Sequence, residues 1–339
     1  MENNKIVTIT SGVILVVVLG VILRLAKPVF FPFFLAILFY FILSPALDFL
    51  TRLKIPRGLA LLLIVVVAFF ALYLFGMLVY TSGKDFANSL PQYSEKLNEF
   101  LQSVREQLKL TEENWDPWAW SKTLNTQKLA SLVLASLDRI FSFFSTFALI
   151  FVFLVFMLAG RGKLRVKVDK SFSPSRAKKV NQIIDNIDGQ IQKYLIIKTG
   201  ISFISGIITT AVLAIFGVDY AIVLGFVTFV LNYVPSLGSI VALALCVLAA
   251  AVQLNSLWPT LWILVLLVVV DLVTGSVLEP KIMGRGLGLS PLVVLFSLMF
   301  WGWLWGIPGM ILAVPIMAVI KIICSNIPAL QPIAEMMSG

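Results

Sequence analysis

The sequence predicts an all-α, polytopic membrane protein, because it is too apolar to cover a water-soluble globule and its apolar residues occur in long runs. Of its 339 residues, 60% are hydrophobic and 13% are charged, whereas a soluble domain carries about 25% charged residues. A helix of about 20 apolar residues crosses the ~30 Å hydrocarbon core of a bilayer. This composition excludes a soluble enzyme, a disordered chain and a nucleic-acid-binding domain, despite the net charge of +9.

Apolar runs of this length predict about six full membrane spans. They cover residues 6–23, 28–50, 58–80, 136–159, 194–217 and 258–278. The first run is interpreted as a span and not as a cleaved signal peptide, because no small-residue cleavage site follows it. Residues 1–80 therefore form the first three spans, and residues 136–160 form the fourth.

Two polar segments separate these spans and predict the orientation of the chain. Residues 81–135 combine apolar residues at helical spacing with three tryptophans, which favours an amphipathic insert at the outer membrane surface. Residues 161–193 form a second amphipathic segment, with nine Lys/Arg against three Asp/Glu. The positive-inside rule predicts that this basic segment is cytoplasmic. The basic turn at 51–57, the N-terminus and a tail at 327–339 are then cytoplasmic as well.

The region 194–326 contains two interrupted apolar segments, each of which follows a full span. At 219–252 two arms of about 14 residues flank the turn 234–238, and at 291–324 two similar arms flank the turn 306–309. Such arms measure roughly 21 Å as helices, so we predict two re-entrant helical hairpins; two tilted, thin spans are the alternative. The hairpins would insert from opposite sides and form an inverted repeat, an arrangement that places a transport site between its halves.

Asp271 is the clearest candidate for an ion-coupling residue, because it interrupts a long apolar run. A carboxylate within a span is expensive and is by default a functional hypothesis. Since burial favours the protonated form of a carboxyl group, we predict that Asp271 carries a coupling proton; a structural hydrogen bond is the alternative. Glu279 is a second ion-coupling candidate, and we expect it to pair with Lys281.

Candidate substrate-binding residues lie at the two hairpin tips and on the fifth span. They are Asn232, Pro235, Trp303, Pro308, Ser202 and Thr209. The amide of Asn232 donates and accepts hydrogen bonds, which suits a polar solute. Trp303 offers a surface on which a sugar-like ring can stack, although packing against helices explains it equally well. Close helix packing likewise explains Ser202 and Thr209 as well as a hydrophilic pathway does.

The sequence predicts no cofactor, no metal site and no enzymatic activity. The chain has no histidine and two cysteines, which argues against zinc sites and histidine-based acid–base catalysis. Cys246 and Cys324 lie in apolar runs, where buried, reduced thiols are expected. The glycines at 284–288 lack the strand–helix context of a phosphate loop, which disfavours an ATP-driven pump.

Several strings resemble the autoinducer-2 exporter family of bacterial inner-membrane transporters. They are residues 231–239 at the first tip, 278–290, and 300–306 before the second tip. The resemblance covers most of the chain and is strongest over 194–321. It implies export of the furanose-like signal autoinducer-2, an association with sodium/proton antiport, a homo-oligomer such as a pentamer, and an elevator-like motion. Ser276 stands where the family often has asparagine, which makes it a further candidate for solute binding.

We therefore expect a secondary transporter of the bacterial inner membrane that exports a small polar organic solute, with autoinducer-2 as the best candidate. Elevator-like alternating access driven by the proton-motive force is the expected mechanism. The expected partners are the solute, the lipid bilayer and further copies of the chain, with no nucleic acid. A sodium/proton antiporter and an oligomeric channel are the alternative functions.

Overall fold

The computed structural model describes most of the chain, and that part is helical. The described residues are 18, 20–108, 135, 147–160, 162–254, 256–283 and 287–339, with side chains omitted at 87 and 90–108. About 89% of the structure is helix, and no strand occurs among the described residues. The prediction of an all-α fold is confirmed.

The described part of the first half of the chain contains five helices. They are α1 (Lys27–Arg52), α2 (Arg57–Leu108), α3 (Phe147–Gly160), α4 (Lys163–Ser171) and α5 (Pro174–Ile215). Helices α3 and α4 meet at a bend of 60°. Gly162 lies at this bend with a φ of 88°, a left-handed conformation that glycine adopts without steric cost.

Helices α2 and α5 continue through points at which the polarity of the sequence changes. Helix α2 has 52 residues and passes residue 80 without a break, and α5 has 42 residues and passes residue 193. The polar residues 81–108 and 174–193 are thus helical extensions of apolar spans. At these two points, a change in the polarity of the sequence therefore does not mark the end of a helix.

The helices of the second half form two helix–turn–helix pairs, each preceded by a longer helical segment. They are α6 (Ala221–Leu231), α7 (Leu237–Leu254), α8 (Leu257–Asp271), a π-helix (Leu272–Leu278), α9 (Glu279–Met283), α10 (Pro291–Trp305), α11 (Ile307–Asn326), a 3₁₀ turn (Pro328–Leu330) and α12 (Gln331–Met336). The pairs α6–α7 and α10–α11 correspond to the two predicted hairpins, and both breaks occur at the predicted turns.

Six helical segments in the described part of the chain are long and apolar enough to span a membrane. They are Lys27–Arg52, Arg57–Phe86, Pro174–Ile215, Leu237–Leu254, Leu257–Met283 and Ile307–Asn326. Three of them contain the predicted spans 28–50, 58–80 and 258–278, and Pro174–Ile215 covers the predicted span 194–217 except for its last two residues. Most of the predicted span 6–23, and the first part of 136–159, lie outside the described residues.

The other two segments are α7 and α11, the second arms of the hairpins. Their 18 and 20 residues correspond to roughly 27 and 30 Å. The expectation of four equally short arms is therefore wrong for these two. The first arms, with 11 and 15 residues, are short, and the re-entrant placement of both hairpins stays a prediction.

The chain divides into two compact units. The first contains Met1–Val65, Thr146–Ile196 and Arg285–Gly339, and the second contains Val66–Ser145 and Ile197–Gly284. The hairpin α10–α11 thus belongs to the first unit, and the hairpin α6–α7 belongs to the second.

In the first unit, the hairpin α10–α11 turns at Gly306 and packs against α1. Gly306 has a φ of 77°, which favours glycine. Trp305 before it is buried, and its Nε1 donates a hydrogen bond to the carbonyl of Leu23 at 3.3 Å. The C-terminal segment returns to the start of α10, where Ser290 N–H donates to the carbonyl of Met337.

In the second unit, α7 packs against both α6 and α8. Their apolar side chains, which include Cys246, Ile263 and Leu267, form a core together with Leu213 of α5. The tip, residues 232–236, joins the C-terminal end of α6 to the N-terminal end of α7. This packing brings the tip and the C-terminal end of α8 to the same small volume.

Candidate functional site

One face of helix α5 carries a stripe of buried polar residues. Lys198, Ser202, Ser205 and Thr209 follow one another at intervals of three or four residues, and each is at most 4% exposed. This spacing places side chains on the same side of a helix. The hydroxyl of Ser202 is completely buried and has no hydrogen-bond partner among the described residues.

A small cavity lies between this stripe and helices α6, α7 and α8, entirely within the second unit. Its volume is about 20 Å³. Its polar lining consists of Ser205, Thr209, Thr228, Asn232, Ser239, Cys246 and Asp271, and its apolar lining of Ala242, Leu243, Leu267 and Val270. A space of about 10–15 Å³ is enough for one water molecule with polar partners. The cavity therefore matches one water molecule or one small ion.

The polar lining offers mainly oxygen ligands. Two of its hydroxyls are already engaged with the backbone: Thr228 donates to the carbonyl of Leu224 at 2.9 Å, and Ser239 donates to that of Ser236 at 3.2 Å. The hydroxyl of Thr228 also lies 3.8 Å from the sulfur of Cys246. Both hydroxyl oxygens keep acceptor capacity after donating, so they remain available to a proton donor or a cation.

Asp271 contributes the carboxylate of this cavity. It is partly buried, and among the residues that the structure describes no lysine or arginine forms an ion pair with it. Asp271 is the last residue of α8, and the π-helix follows directly. Thr274 within the π-helix donates to the carbonyl of Val270 at 2.7 Å. Short π-helical segments occur frequently at functional sites.

Glu279 pairs with Lys198 of α5, and not with Lys281 as the sequence suggested. The Nζ atom of Lys198 lies 2.7 and 2.9 Å from the two carboxylate oxygens of Glu279. The Lys198 side chain is 3% exposed and that of Glu279 is 23% exposed. This buried ion pair ties the end of the π-helix to the polar stripe of α5, and it explains how a lysine is accommodated in an apolar helix.

A second contact joins the hairpin tip to α5. The hydroxyl of Tyr233 donates a hydrogen bond to the hydroxyl of Thr199 at 2.7 Å. The Tyr233 ring packs edge-on against Phe229, with their centroids 5.6 Å apart. The hydrogen bond therefore holds the tip against α5, and the ring contact holds Tyr233 against the end of α6.

The structure brings three of the predicted site residues together: Asn232, Thr209 and Asp271 line the same cavity. Ser202, Pro235, Ser276 and Glu279 belong to the same unit but do not line it. Ser276 is exposed on the π-helix. The predicted roles of all these residues stay predictions.

The remaining two predicted residues belong to the first unit. Trp303 is 63% exposed, and the guanidinium carbon of Arg24 lies 5.2 Å from the centroid of its ring. Pro308 is half-buried in the first turn of α11. Trp301 and Trp305 beside them are buried and pack against each other, so these two serve the packing of the hairpin.

Sequence reasoning missed four of the polar lining residues and the lysine partner of Glu279. Ser205 precedes Thr209 by four residues, and Thr228 precedes Asn232 by four, so helical spacing from the predicted residues points to both. No comparable signal identified Ser239, Cys246 or Lys198. The expectation that Cys246 and Cys324 are free and buried is confirmed.

Comparison with known proteins gives one family and several relatives of similar length. A family model described as an AI-2E family transporter matches residues 13–329. The "AI-2 transport protein TqsA" of Escherichia coli is 31% identical over 338 residues, which cover 99% of this chain and 96% of that protein. A Borreliella burgdorferi protein named as a candidate transport protein is 30% identical, covering 93% of this chain and 86% of its own. A similarly named protein, YrrI of Bacillus subtilis, is 26% identical, and the match covers 87% of this chain and 86% of that protein.

Proposed function

Because the chain belongs to the AI-2E family of bacterial membrane transporters, we propose that it is a secondary transporter that exports a small polar organic solute. The E. coli relative named for AI-2 transport makes autoinducer-2 the first solute to test. The observation that carries the proposal is the cavity in which Asp271, Asn232 and Thr209 meet. We place the protein in the bacterial inner membrane, with both termini in the cytoplasm, as a homo-oligomer.

Asp271 couples the transport to the proton-motive force. Its carboxylate lies in a cavity that accepts one water molecule, and no basic side chain among the described residues neutralises it. In the proposed transport cycle this carboxylate is the group that takes up and releases the coupling proton. Protonation removes the charge of Asp271. The part of the protein that carries the cavity can then move through an apolar environment at a far smaller free-energy cost than it could with a charged carboxylate.

The solute binds when this cavity is enlarged. Ligand pockets commonly measure about 300–1,000 Å³, and the cavity of about 20 Å³ is much smaller. Displacement of the α6–α7 tip from α5 would widen it, since the tip carries Asn232 and is held by the Tyr233–Thr199 hydrogen bond. Elevator-like alternating access provides such an occluded state between two open ones.

The test is solute efflux from proteoliposomes under an imposed pH gradient. We expect Asp271→Asn to reduce gradient-driven efflux of autoinducer-2 at least about tenfold, equivalent to about 1.4 kcal/mol, and to remove its dependence on the gradient. Asp219→Asn is the matched control, because Asp219 is an exposed carboxylate of the same unit. Wild-type rate and wild-type pH dependence in Asp271→Asn would show that Asp271 has no coupling role.

Sodium/proton antiport is the second candidate function, and the size of the cavity favours it. A site of about 20 Å³ lined by carboxylate, amide and hydroxyl oxygens suits a small hard cation, which prefers oxygen ligands. The distinguishing measurement is sodium-driven proton flux in proteoliposomes that contain no organic solute. Sodium-driven proton flux that occurs in the wild-type protein and disappears in Asp271→Asn supports antiport. If the wild-type protein shows no such flux but exports autoinducer-2, the exporter is supported.

A further inference from the structure

A hydrophilic cavity lies in the first unit, between the N-terminal part of α5 and the end of α11. Its volume is about 550 Å³, and ligand pockets commonly measure about 300–1,000 Å³. All the described residues that line it are polar, and they belong to α5 except for Asn326, the last residue of α11. None of them lines the transport cavity. This second cavity is therefore a separate candidate site for a polar ligand.

Two lysines give this cavity a positive charge that is available to a ligand. Lys178 and Lys179 both line it, and neither side chain forms an ion pair or a hydrogen bond with another residue that the structure describes. Asp185 is the acidic residue of the lining, and its carboxylate is paired with Arg165 of α4. The negative charge of the lining is thus compensated from outside the cavity. The two ammonium groups therefore favour an anionic ligand.

Uncharged donors lie on the same face of α5 as the lysines. Ser175, Lys178, Gln182 and Asn186 follow one another at intervals of three or four residues, which places them on one side of the helix. In the described part of the chain, no group accepts a hydrogen bond from the side chains of Ser175, Gln182 or Asn186. A hydroxyl supplies one donor and each amide supplies two. The lining therefore has enough donors to surround an anion that carries several oxygens.

The position of the cavity along α5 favours a soluble anion over a lipid headgroup. Lys179 precedes Tyr194, the first residue of the predicted span, by 15 positions of one continuous helix, which correspond to about 22 Å. Even at a tilt of 40°, the upper end for membrane helices, about 17 Å of this distance lies along the bilayer normal. The headgroup layer adds about 5–8 Å to each side of the hydrocarbon. The lysines are therefore attached well beyond the headgroups, in the aqueous phase.

We propose that this cavity binds a water-soluble phosphate monoester from the side of the membrane that the basic segment 161–193 faces. A phosphate monoester carries a charge of about −1.5 to −2 at pH 7 and three strong acceptor oxygens, which match two lysines and the donors beside them. The amide nitrogen of Asn326 donates to the carbonyl of Ile322 at 2.7 Å. Its side-chain oxygen is left to accept a hydrogen bond from a hydroxyl of the organic part. The bound ligand thus joins α5 to the end of α11.

The test is isothermal titration calorimetry of the full-length protein in an uncharged detergent, with glycerol 3-phosphate as the probe. Glycerate, which has a carboxylate in place of the phosphate, and uncharged glycerol are the matched ligands. We expect one glycerol 3-phosphate to bind per chain and glycerate to bind at least about tenfold more weakly, as expected for one lost charge-assisted hydrogen bond. Glycerol should not bind. Equal affinities for the phosphate and the carboxylate, or no saturable binding of glycerol 3-phosphate, would overturn the proposal.

Charge variants show whether the phosphate binds at the two lysines. Lys178→Gln with Lys179→Gln should weaken the binding of glycerol 3-phosphate at least about tenfold. Lys163→Gln with Lys167→Gln is the control, because these exposed lysines of α4 belong to the same unit and lie outside the cavity. Both double variants change the net charge by the same amount. Equal weakening in both would show a general attraction of anions and would overturn the site.

A change of volume tests the cavity independently of charge. Asn186→Trp narrows it and should weaken the binding, whereas Gln190→Trp, at an exposed position one turn further along α5 and outside the cavity, should not. Undiminished binding in Asn186→Trp would overturn the proposal. If Asn186→Trp fails to fold, the lysine variants still decide, because they alter exposed side chains.

Nanodiscs distinguish a soluble phosphate from a lipid headgroup. Phosphatidic acid presents the same phosphate monoester on a lipid, and phosphatidylglycerol at equal surface charge is its control. We expect glycerol 3-phosphate to bind equally well in phosphatidylcholine nanodiscs that contain either lipid. Weaker binding with phosphatidic acid alone would show that a lipid headgroup reaches the lysines and would overturn the soluble ligand. Transport activity does not enter these outcomes, so the phosphate site and the proposed export fail or succeed separately.

Discussion

Lys198 shows how a single charged residue is stabilised inside an apolar helix of this protein. Its Nζ atom contacts both carboxylate oxygens of Glu279. Each of the two charges is therefore compensated by the other where little solvent reaches them. Removal of one partner of a buried ion pair leaves an uncompensated charge, whereas replacement of both by apolar residues is often nearly neutral. The main effect of this pair on the stability of the second unit is therefore the loss of stability that follows when one partner is removed.

This reasoning predicts a strongly non-additive pair of substitutions. Glu279→Leu should lower the free energy of unfolding by about 3 kcal/mol, because Lys198 is then buried without a partner. Lys198→Met should be damaging as well, and the double variant should be less destabilised than the sum of the two. Thermal unfolding in micelles measures all three.

Glu279→Leu paired with Lys281→Met is the matched control, since the structure pairs Glu279 with Lys198 and not with Lys281. That control cycle should be additive. Additivity in the Lys198–Glu279 cycle would contradict the ion pair.

At the scale of the helix, the close crossing of α5 and α6 positions the residues of the site. Gly206 and Gly225 lie at this crossing, and a Cβ atom added at Gly225 would lie 2.6 Å from the carbonyl oxygen of Gly206 and 1.8 Å from the hydroxyl oxygen of Thr210. Glycine at both positions allows the two backbones to approach, as small residues do in membrane helix packing. The crossing brings Thr228 of α6 beside Ser205 and Thr209 of α5.

We therefore expect Gly225→Ala to separate the two helices and to destabilise the protein by about 1–3 kcal/mol, the usual range for overpacking. Solute efflux should fall in parallel, because the cavity residues of α5 and α6 move apart. Gly200→Ala is the control on α5, since nothing lies within 4 Å of the added Cβ there. It should be neutral or slightly stabilising, because alanine favours a helix over glycine by about 1 kcal/mol. Equal effects of both variants would refute a close crossing.

At the scale of the whole molecule, the two broken hairpins are the main departure from a simple bundle of spans. Their second arms are long enough to cross a membrane, while the first arm α6 has only 11 residues. An arm of about 17 Å does not cross ~30 Å of hydrocarbon. This short arm is the reason why we predict a re-entrant insertion of the first hairpin, with its tip at an intermediate depth.

This placement predicts that the tip of the first hairpin is reached from the outer side. In a variant with Cys246 and Cys324 replaced by alanine, Leu237→Cys should react with a membrane-impermeant thiol reagent added outside, because Leu237 is exposed at the tip. Lys54→Cys, in the basic turn, should react only from the cytoplasmic side. Reaction of Leu237→Cys from the cytoplasmic side alone would indicate two full spans instead of a re-entrant hairpin.

The sequence by itself determined the helical membrane fold, the places at which the two hairpins break, and Asp271 as a carboxylate within an apolar run. These features follow from composition and from local patterns of glycine, proline and apolar residues, which act over a few turns of helix. The same local reasoning placed helix ends where polarity changes. Helices α2 and α5 continue beyond those points, because a helix satisfies its own backbone hydrogen bonds in lipid and in water alike.

The tertiary structure alone decided which of these residues meet. It joined Asp271 with Asn232 and Thr209, and it paired Glu279 with Lys198, 81 residues earlier in the chain, instead of with the nearby Lys281. Contacts between helices depend on close approaches such as that of Gly206 and Gly225, and many distant side chains determine each approach together. No local pattern carries that information, which is why the sequence identified the carboxylate and only the packing of four helices formed the site around it.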